Sequence, residues 1–192
     1  MTIFYKWLLF ISSYTPLYVL LAIDNYNFKC TPIAYFKGVL DDTSLLVFWI
    51  VIITLFVISI LSVSYFVFIS LNDTRVAEDV KPINESVLSY LITYVIPLIN
   101  MNVNSVNSLL VNLLLFLVIG VVYVKSDLIY LNILLILLGF RVYNDPRGNV
   151  IITNYSRDEL ISSVNTMELL SYRNVVKGVY LVRRKKEKNK KQ

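Results

Sequence analysis

Two pairs of neighbouring acids, Asp41-Asp42 and Glu78-Asp79, are the residues whose types and spacing could support general acid–base chemistry as a catalytic couple. Asp41-Asp42 stands directly before Thr43-Ser44 and a long apolar run, where acids suit the amino end of a helix. Glu78-Asp79 follows that run in a polar loop, so the two pairs lie at opposite ends of it and cannot share one site. Both therefore read as structural. The chain has no histidine, which removes His-based proton transfer and His metal ligation. Its single cysteine, Cys30, supports neither an intrachain disulfide nor a zinc site, and Asn27-Phe28-Lys29 before it are not the small residues of a lipoprotein signal. With five glycines and no Walker loop, Rossmann fingerprint, nucleophile elbow or metal cluster, an enzyme is not expected. No catalytic, cofactor-binding or metal-ligating residues are assigned.

Two other constellations carry chemistry. Asn100, Asn104 and Asn107 recur at helical spacing on one face, and Asn112 lies in the apolar run beyond them. They could line a polar vestibule, the mark of a small channel or transporter component. The plainer reading places the first three at a membrane interface, with Asn112 bonding between helices for about 0.6–2 kcal/mol. The plainer reading is preferred, because no charge falls inside an apolar core span. At the far end, Arg183, Arg184, Lys185, Lys186, Lys188, Lys190 and Lys191 put seven positive charges into nine residues. Near anionic lipid each is worth about 1 kcal/mol at low screening, and such a run marks the cytoplasmic side. Direct nucleic-acid binding is not favoured, since neither aromatic interleaving nor a fold signature accompanies the charge. Arg157, Arg173 and Lys177 are the candidate partner contacts upstream of that tail.

The elements that must position these residues are dominated by hydrophobicity. Ser44 to Leu71 is twenty-eight residues without a charge, and Val87 to Val124 holds none either. At about 1.5 Å per residue the first run makes a helix of roughly 42 Å, enough to cross a hydrocarbon core of ~30 Å. An α-helical integral membrane protein is the fold class expected, with lipid as its first partner. Four transmembrane helices fit the pattern, over about 5–23, 44–71, 106–124 and 128–143. Pro16 should kink the first of them near Ser12 and Ser13. Lys125-Ser126-Asp127 splits the last apolar stretch into a hairpin. Residues 87–99 suit a re-entrant or interfacial segment, being thirteen residues long and broken by Pro97.

Charge supports that count. After Phe140 the chain has 12 Lys/Arg against 5 Asp/Glu, whereas residues 1–140 have 6 against 8. Positive segments stay cytoplasmic, and Lys6 places the amino terminus there too, so the number of crossings is even. A multi-pass membrane protein with both termini cytoplasmic follows. Its outer loop spans 24–43 and its inner loop 72–86.

Beyond the four-span domain of residues 1–143 comes a small cytoplasmic α+β module over 144–182, and then a basic tail over 183–192. The β-branched and aromatic runs Phe140–Tyr143 and Val150–Tyr155 flank an Asn-Asp-Pro-Arg-Gly-Asn loop, which predicts a hairpin. Ser156-x-x-Glu159 is a capping box opening a helix to about Val164, and Val175–Val182 predicts one more strand. Three strands are marginal alone, so the module must pack on a neighbouring subunit, the inner loop or a partner.

These features resemble the KwaA family, the membrane subunit of the bacterial Kiwa antiphage system. The resemblance rests on Ser13-Tyr14-Thr15-Pro16-Leu17-Tyr18, on Leu91-Ile92-Thr93-Tyr94-Val95-Ile96-Pro97-Leu98, on the coupled last two spans and on Val150-Ile151-Ile152-Thr153. It implies that the membrane is the bacterial inner membrane and that the protein is a homo-oligomeric, tetrameric sensor of infection there. It also implies a cytoplasmic partner, KwaB, that binds DNA and suppresses phage replication or late transcription. No catalytic residue comes with it.

Overall fold

The computed structural model describes residues 1–83 and 106–183. The expected segment 87–99, Asn100, Asn104 and the basic residues from Arg184 onward lie outside the described residues.

The chain begins with α1 (Ile3–Ser13) and α2 (Thr15–Asp24), which meet at a bend of 44°. Pro16 in the first turn of α2 lacks an N–H and cannot continue α1. Three hydroxyls occupy carbonyls around the break: Ser12 donates to Leu9 O, Ser13 to Phe10 O and Thr15 to Ser12 O, each at 2.7 Å. Helix α3 (Pro32–Asp41) leads to α4 (Thr43–Phe68), whose N-cap Asp42 accepts from Ser44 N at 2.8 Å and Leu45 N at 3.3 Å. The first acidic pair thus caps a helix.

Helix α5 (Val106–Lys125) follows, then a 3-10 turn (Leu128–Leu131) and the short α6 (Ile133–Leu137). Tyr5 lies beside Ser62 and Tyr65, while Tyr18 and Ile52 line one pocket farther along, so the α1–α2 pair runs antiparallel to α4. Phe116 meets Tyr14, Tyr123 meets Phe10 and Asp127 meets Lys6, so α5 is also antiparallel to α1. Helices α4 and α5 therefore point the same way. Close approach of α1 and α5 requires Gly120, because a Cβ there would sit 2.3 Å from the Trp7 ring and 2.8 Å from Phe10.

Helix α4 ends at a mixed sheet of six strands among the described residues, in the order β1-β5-β6-β4-β3-β2. Its strands are β1 (Asp73–Val76), β2 (Lys81–Pro82), β3 (Arg141–Asn144), β4 (Val150–Thr153), β5 (Leu169–Val176) and β6 (Val179–Arg183). Only the β4–β6 pair is parallel. Helix α7 (Arg157–Asn165) joins β4 to β5 and opens with the expected capping box. The outer strands β1 and β2 are successive in the chain yet stand at opposite edges. A flat six-stranded sheet would hold them about 24 Å apart, and the five steps from Val76 to Lys81 span at most about 19 Å. The sheet must therefore curl. Ala77 and Val80, in the connection, are buried with Tyr143, Ile151, Leu170, Tyr172 and Val182 inside the curl, against Leu160 of α7. The alternate residues Ile152, Val179 and Leu181 face the other way and share one core with Leu9, Phe10, Ile129 and Leu135. Sheet and helices are thus packed through a common interior.

The expected fold class does not hold. Among the described residues one helix, α4, is long and apolar enough to cross a membrane, and the bent pair α1–α2 adds a second only if taken as one span. The apolar stretch Leu110–Lys125 is shorter. Residues 128–143 form no spanning helix at all: a four-residue 3-10 turn, a five-residue helix and strand β3 occupy them. Their hydrophobicity serves burial beneath α1, with Ile129, Leu131 and Leu135 in the core. The single strand expected over Val175–Val182 is a hairpin, broken at Lys177-Gly178 with Gly178 at φ 78°. The inner loop turns out to be the element that completes the tail's sheet, by adding a strand to each edge.

Candidate functional site: the joint between the long helix and the sheet

Two arginines of the sheet meet the end of α4 where it abuts β5 and β6. The last carbonyls of a helix have no partner within it and carry partial negative charge. Arg183, at the end of β6, donates Nη1 to Val67 O and Nη2 to Ile69 O, forking across the last turn of α4. Arg173 on β5 donates Nη1 to Ser70 O and, at 3.3 Å, to Ser70 Oγ. Burial first, and the nearby Arg173 charge second, hold the Arg183 guanidinium below its ordinary pKa. Arginine nevertheless stays charged in proteins. Two cations thus grip one helix end. Any displacement of α4 along its axis must be followed by β5 and β6, or must break these bonds.

A second fastening holds α1 to the connector after α5. Asn132 is fully buried and donates Nδ2 to Leu9 O at 2.9 Å and to Ser12 Oγ at 2.6 Å. Its Oδ1 accepts from Leu134 N at 2.9 Å and Leu135 N at 3.3 Å, capping α6. Lys6 forms an ion pair with Asp127, both partly buried. Tyr5 Oη donates to Ser62 O at 2.7 Å, tying α1 to α4 near the same end.

Beside the joint opens a groove of about 640 Å³ between α1, the last half of α4 and β5. Its walls are largely apolar, with Arg173 and Ser62 among the polar exceptions. Farther out on the sheet, Arg75 lies over the rings of Tyr172 and Tyr180 at 5.9 and 5.1 Å. The Tyr172 pKa is raised, by burial first and by Glu78 next.

The residues singled out from the sequence are scattered over this frame. Arg173 and Arg183 meet at the joint, so Arg183 belongs to β6 and is not a free tail residue. Lys177 is exposed at the β5–β6 turn, next to the start of the β4–β6 ladder, and Arg157 is exposed beyond that ladder's other end. The two do not form one patch. Asn107 is exposed in the first turn of α5, and Asn112 donates to Ser108 O one turn back at 2.8 Å, within its own helix. Glu78 pairs with Arg147 at 3.0 Å, and Asp79 accepts from Val80 N at 2.8 Å. Asn132 escaped the sequence reading. Its signal was a lone polar side chain in the uncharged run 128–140, immediately before a helix.

The arrangement defines an apolar helical bundle clamped to a small curled sheet. The chain belongs to the KwaA family: the family model described as Anti-phage protein KwaA matches residues 5–181, nearly its whole length. It is thus a component of antiphage defence. No curated protein and no solved structure matches it.

Proposed function

We propose that this antiphage component is the membrane-held sensing subunit of its defence complex, and that it passes a disturbance of the bilayer through the α4 joint to a cytoplasmic DNA-binding effector. One observation carries the reading. Helix α4 is strongly apolar yet only 22% of its most hydrophobic stretch is buried, while its end is gripped by two arginines of the sheet. Exposed apolar faces of that extent call for lipid or further protein. Leu110, Val111, Leu114 and Val118 of α5 are exposed as well, which favours lipid around one copy and contacts between several.

In this reading α4 and the bent pair α1–α2 lie across the inner membrane, with the sheet on the cytoplasmic side. The amino terminus joins it there, because Lys6 and Tyr5 sit at the α4 end nearest the sheet. The basic run after Arg183 supports the same orientation. A helix clamped at one end and bathed in lipid along its length shifts when bilayer thickness or tension changes. The clamp transmits that shift to β5 and β6, and the sheet's exposed surface presents it to the effector.

The test is purification from the native operon in mild detergent, together with phage plating. A homo-oligomer that co-elutes with a DNA-binding protein encoded beside it, and protects cells only with that neighbour, is the expected result. A chain that purifies alone and gives no protection with its neighbour would refute the reading.

A further inference from the structure

The groove beside the joint has the chemistry of a lipid site, and we infer that it seats one acyl chain of an anionic phospholipid with the phosphate on Arg173. The inference rests on the membrane placement proposed above and adds to it a specific ligand.

Three observations carry it. The first is shape and lining. About 640 Å³ falls within the usual range for small-molecule sites, and Leu8, Ile58 and Leu61 supply walls with no competing charge. Leu61 and Phe4, at 65% and 71% exposure, carry this lining outward onto the surface of α4 and α1, so the groove opens sideways toward the proposed lipid.

The second is charge. Arg173 spends Nη1 on Ser70, and neither it nor Arg183 forms an ion pair with an acid among the described residues. A planar guanidinium with donors to spare is suited to a phosphate, which it binds through two parallel hydrogen bonds. Tyr5 and Tyr65, in edge contact at 5.2 Å, line the groove with it. Tyrosines beside a cation are the composition of a membrane–water interface, where a headgroup sits.

The third is an orphaned polar atom. Ser62 is 4% exposed, lines the groove, and its Oγ has no hydrogen-bond partner among the described residues. A buried hydroxyl without a partner is destabilising until an acceptor reaches it. The ester carbonyl of a seated chain would accept from it.

The full chain in detergent is offered dilauroyl phosphatidylglycerol, dilauroyl phosphatidylcholine, lauric acid or inorganic phosphate, and bound ligand is counted by native mass spectrometry. Retention of one phosphatidylglycerol per chain, favoured over phosphatidylcholine by about tenfold, is expected: both lipids carry the phosphate, but the choline cation of phosphatidylcholine meets Arg173 and Arg183 as a like charge. Arg173→Gln should erase the preference. Because that change also loosens the joint, Leu61→Trp is the second variant: it fills the groove from an exposed position and should reduce retention with Arg173 intact. Equal retention of both phospholipids, or unchanged retention in Leu61→Trp, overturns the inference. Displacement by lauric acid or inorganic phosphate alone at equal concentration overturns the choice of a phospholipid. Carbonate extraction of wild-type membranes separates the two levels. Release of the chain by carbonate sinks the membrane placement, whereas a chain that stays in the membrane but shows no preference sinks only this site.

Discussion

Asn132 and Ser12, 120 positions apart, are joined by a hydrogen bond of 2.6 Å between two fully buried side chains. The same amide caps α6 through Leu134 N and holds Leu9 O, so one residue serves two elements. Replacement by leucine would strand several of these groups away from water. Asn132→Leu should lose about 2–4 kcal/mol of stability, combining a lost cap with unsatisfied buried groups. The check is thermal unfolding in detergent, where Ser12→Ala, which removes a single partner, should cost less. Equal stability of Asn132→Leu and wild type would remove Asn132 from its place in the account.

The close pass of α1 over Gly120 gives a second expectation. A methyl group at 120 would collide with Trp7 and Phe10. Gly120→Ala should destabilise the bundle by about 1–3 kcal/mol through overpacking, and Trp7→Leu in the same chain should recover part of it. Additive losses in the double variant would show that the two residues do not meet.

Lys6 and Asp127 offer a swap. Both are partly buried, so charge reversal at either one places like charges together in a poorly screened site. Lys6→Asp should lower stability by about 1 kcal/mol or somewhat more, and Lys6→Asp with Asp127→Lys should restore most of it. Urea midpoints at low salt measure both. Failure of the double reversal to recover any stability would count against the pair.

The sequence made some elements plain and hid others for identifiable reasons. Helix α4 was legible because nothing in Ser44–Leu71 competes with a long apolar helix, and the bend at Pro16 because proline has no N–H to give. The β3–β4 hairpin and the Ser156 capping box carried their own local chemistry. Residues 128–140 misled, since an uncharged run looks the same whether lipid or protein covers it. Strands β1 and β2 have no alternation to betray them: Asp73–Val76 and Lys81-Pro82 are exposed edge strands, fixed by the neighbours they pair with. Of the joint, Arg173 and Arg183 were noticed as charges, yet their carbonyl partners on α4 arise only from the tertiary fold. Asn132 was hidden in the same way.

Position relative to the sheet separates the basic residues. Lys177 and Arg157 are exposed and make no ion pair among the described residues, whereas Arg173 works inside the joint. Lys177→Glu and Arg157→Glu should each weaken capture of the effector while leaving the melting temperature within about 1–2 °C, the range of a neutral surface change. Arg183→Gln should do the reverse, retaining capture and losing protection in phage plating. Wild-type protection by Arg183→Gln would exclude the joint as the relay.

The orientation of the helices across the membrane is the central claim, and thiol labelling tests it most directly. Cys30 is the chain's single cysteine, exposed in the loop between α2 and α3 at the end far from the sheet. In intact spheroplasts a membrane-impermeant maleimide should label Cys30. In a Cys30→Ser background, Lys177→Cys on the sheet should react only after the membrane is broken. Labelling of both sites before disruption, or of neither, would contradict a bundle that crosses the membrane with its sheet inside.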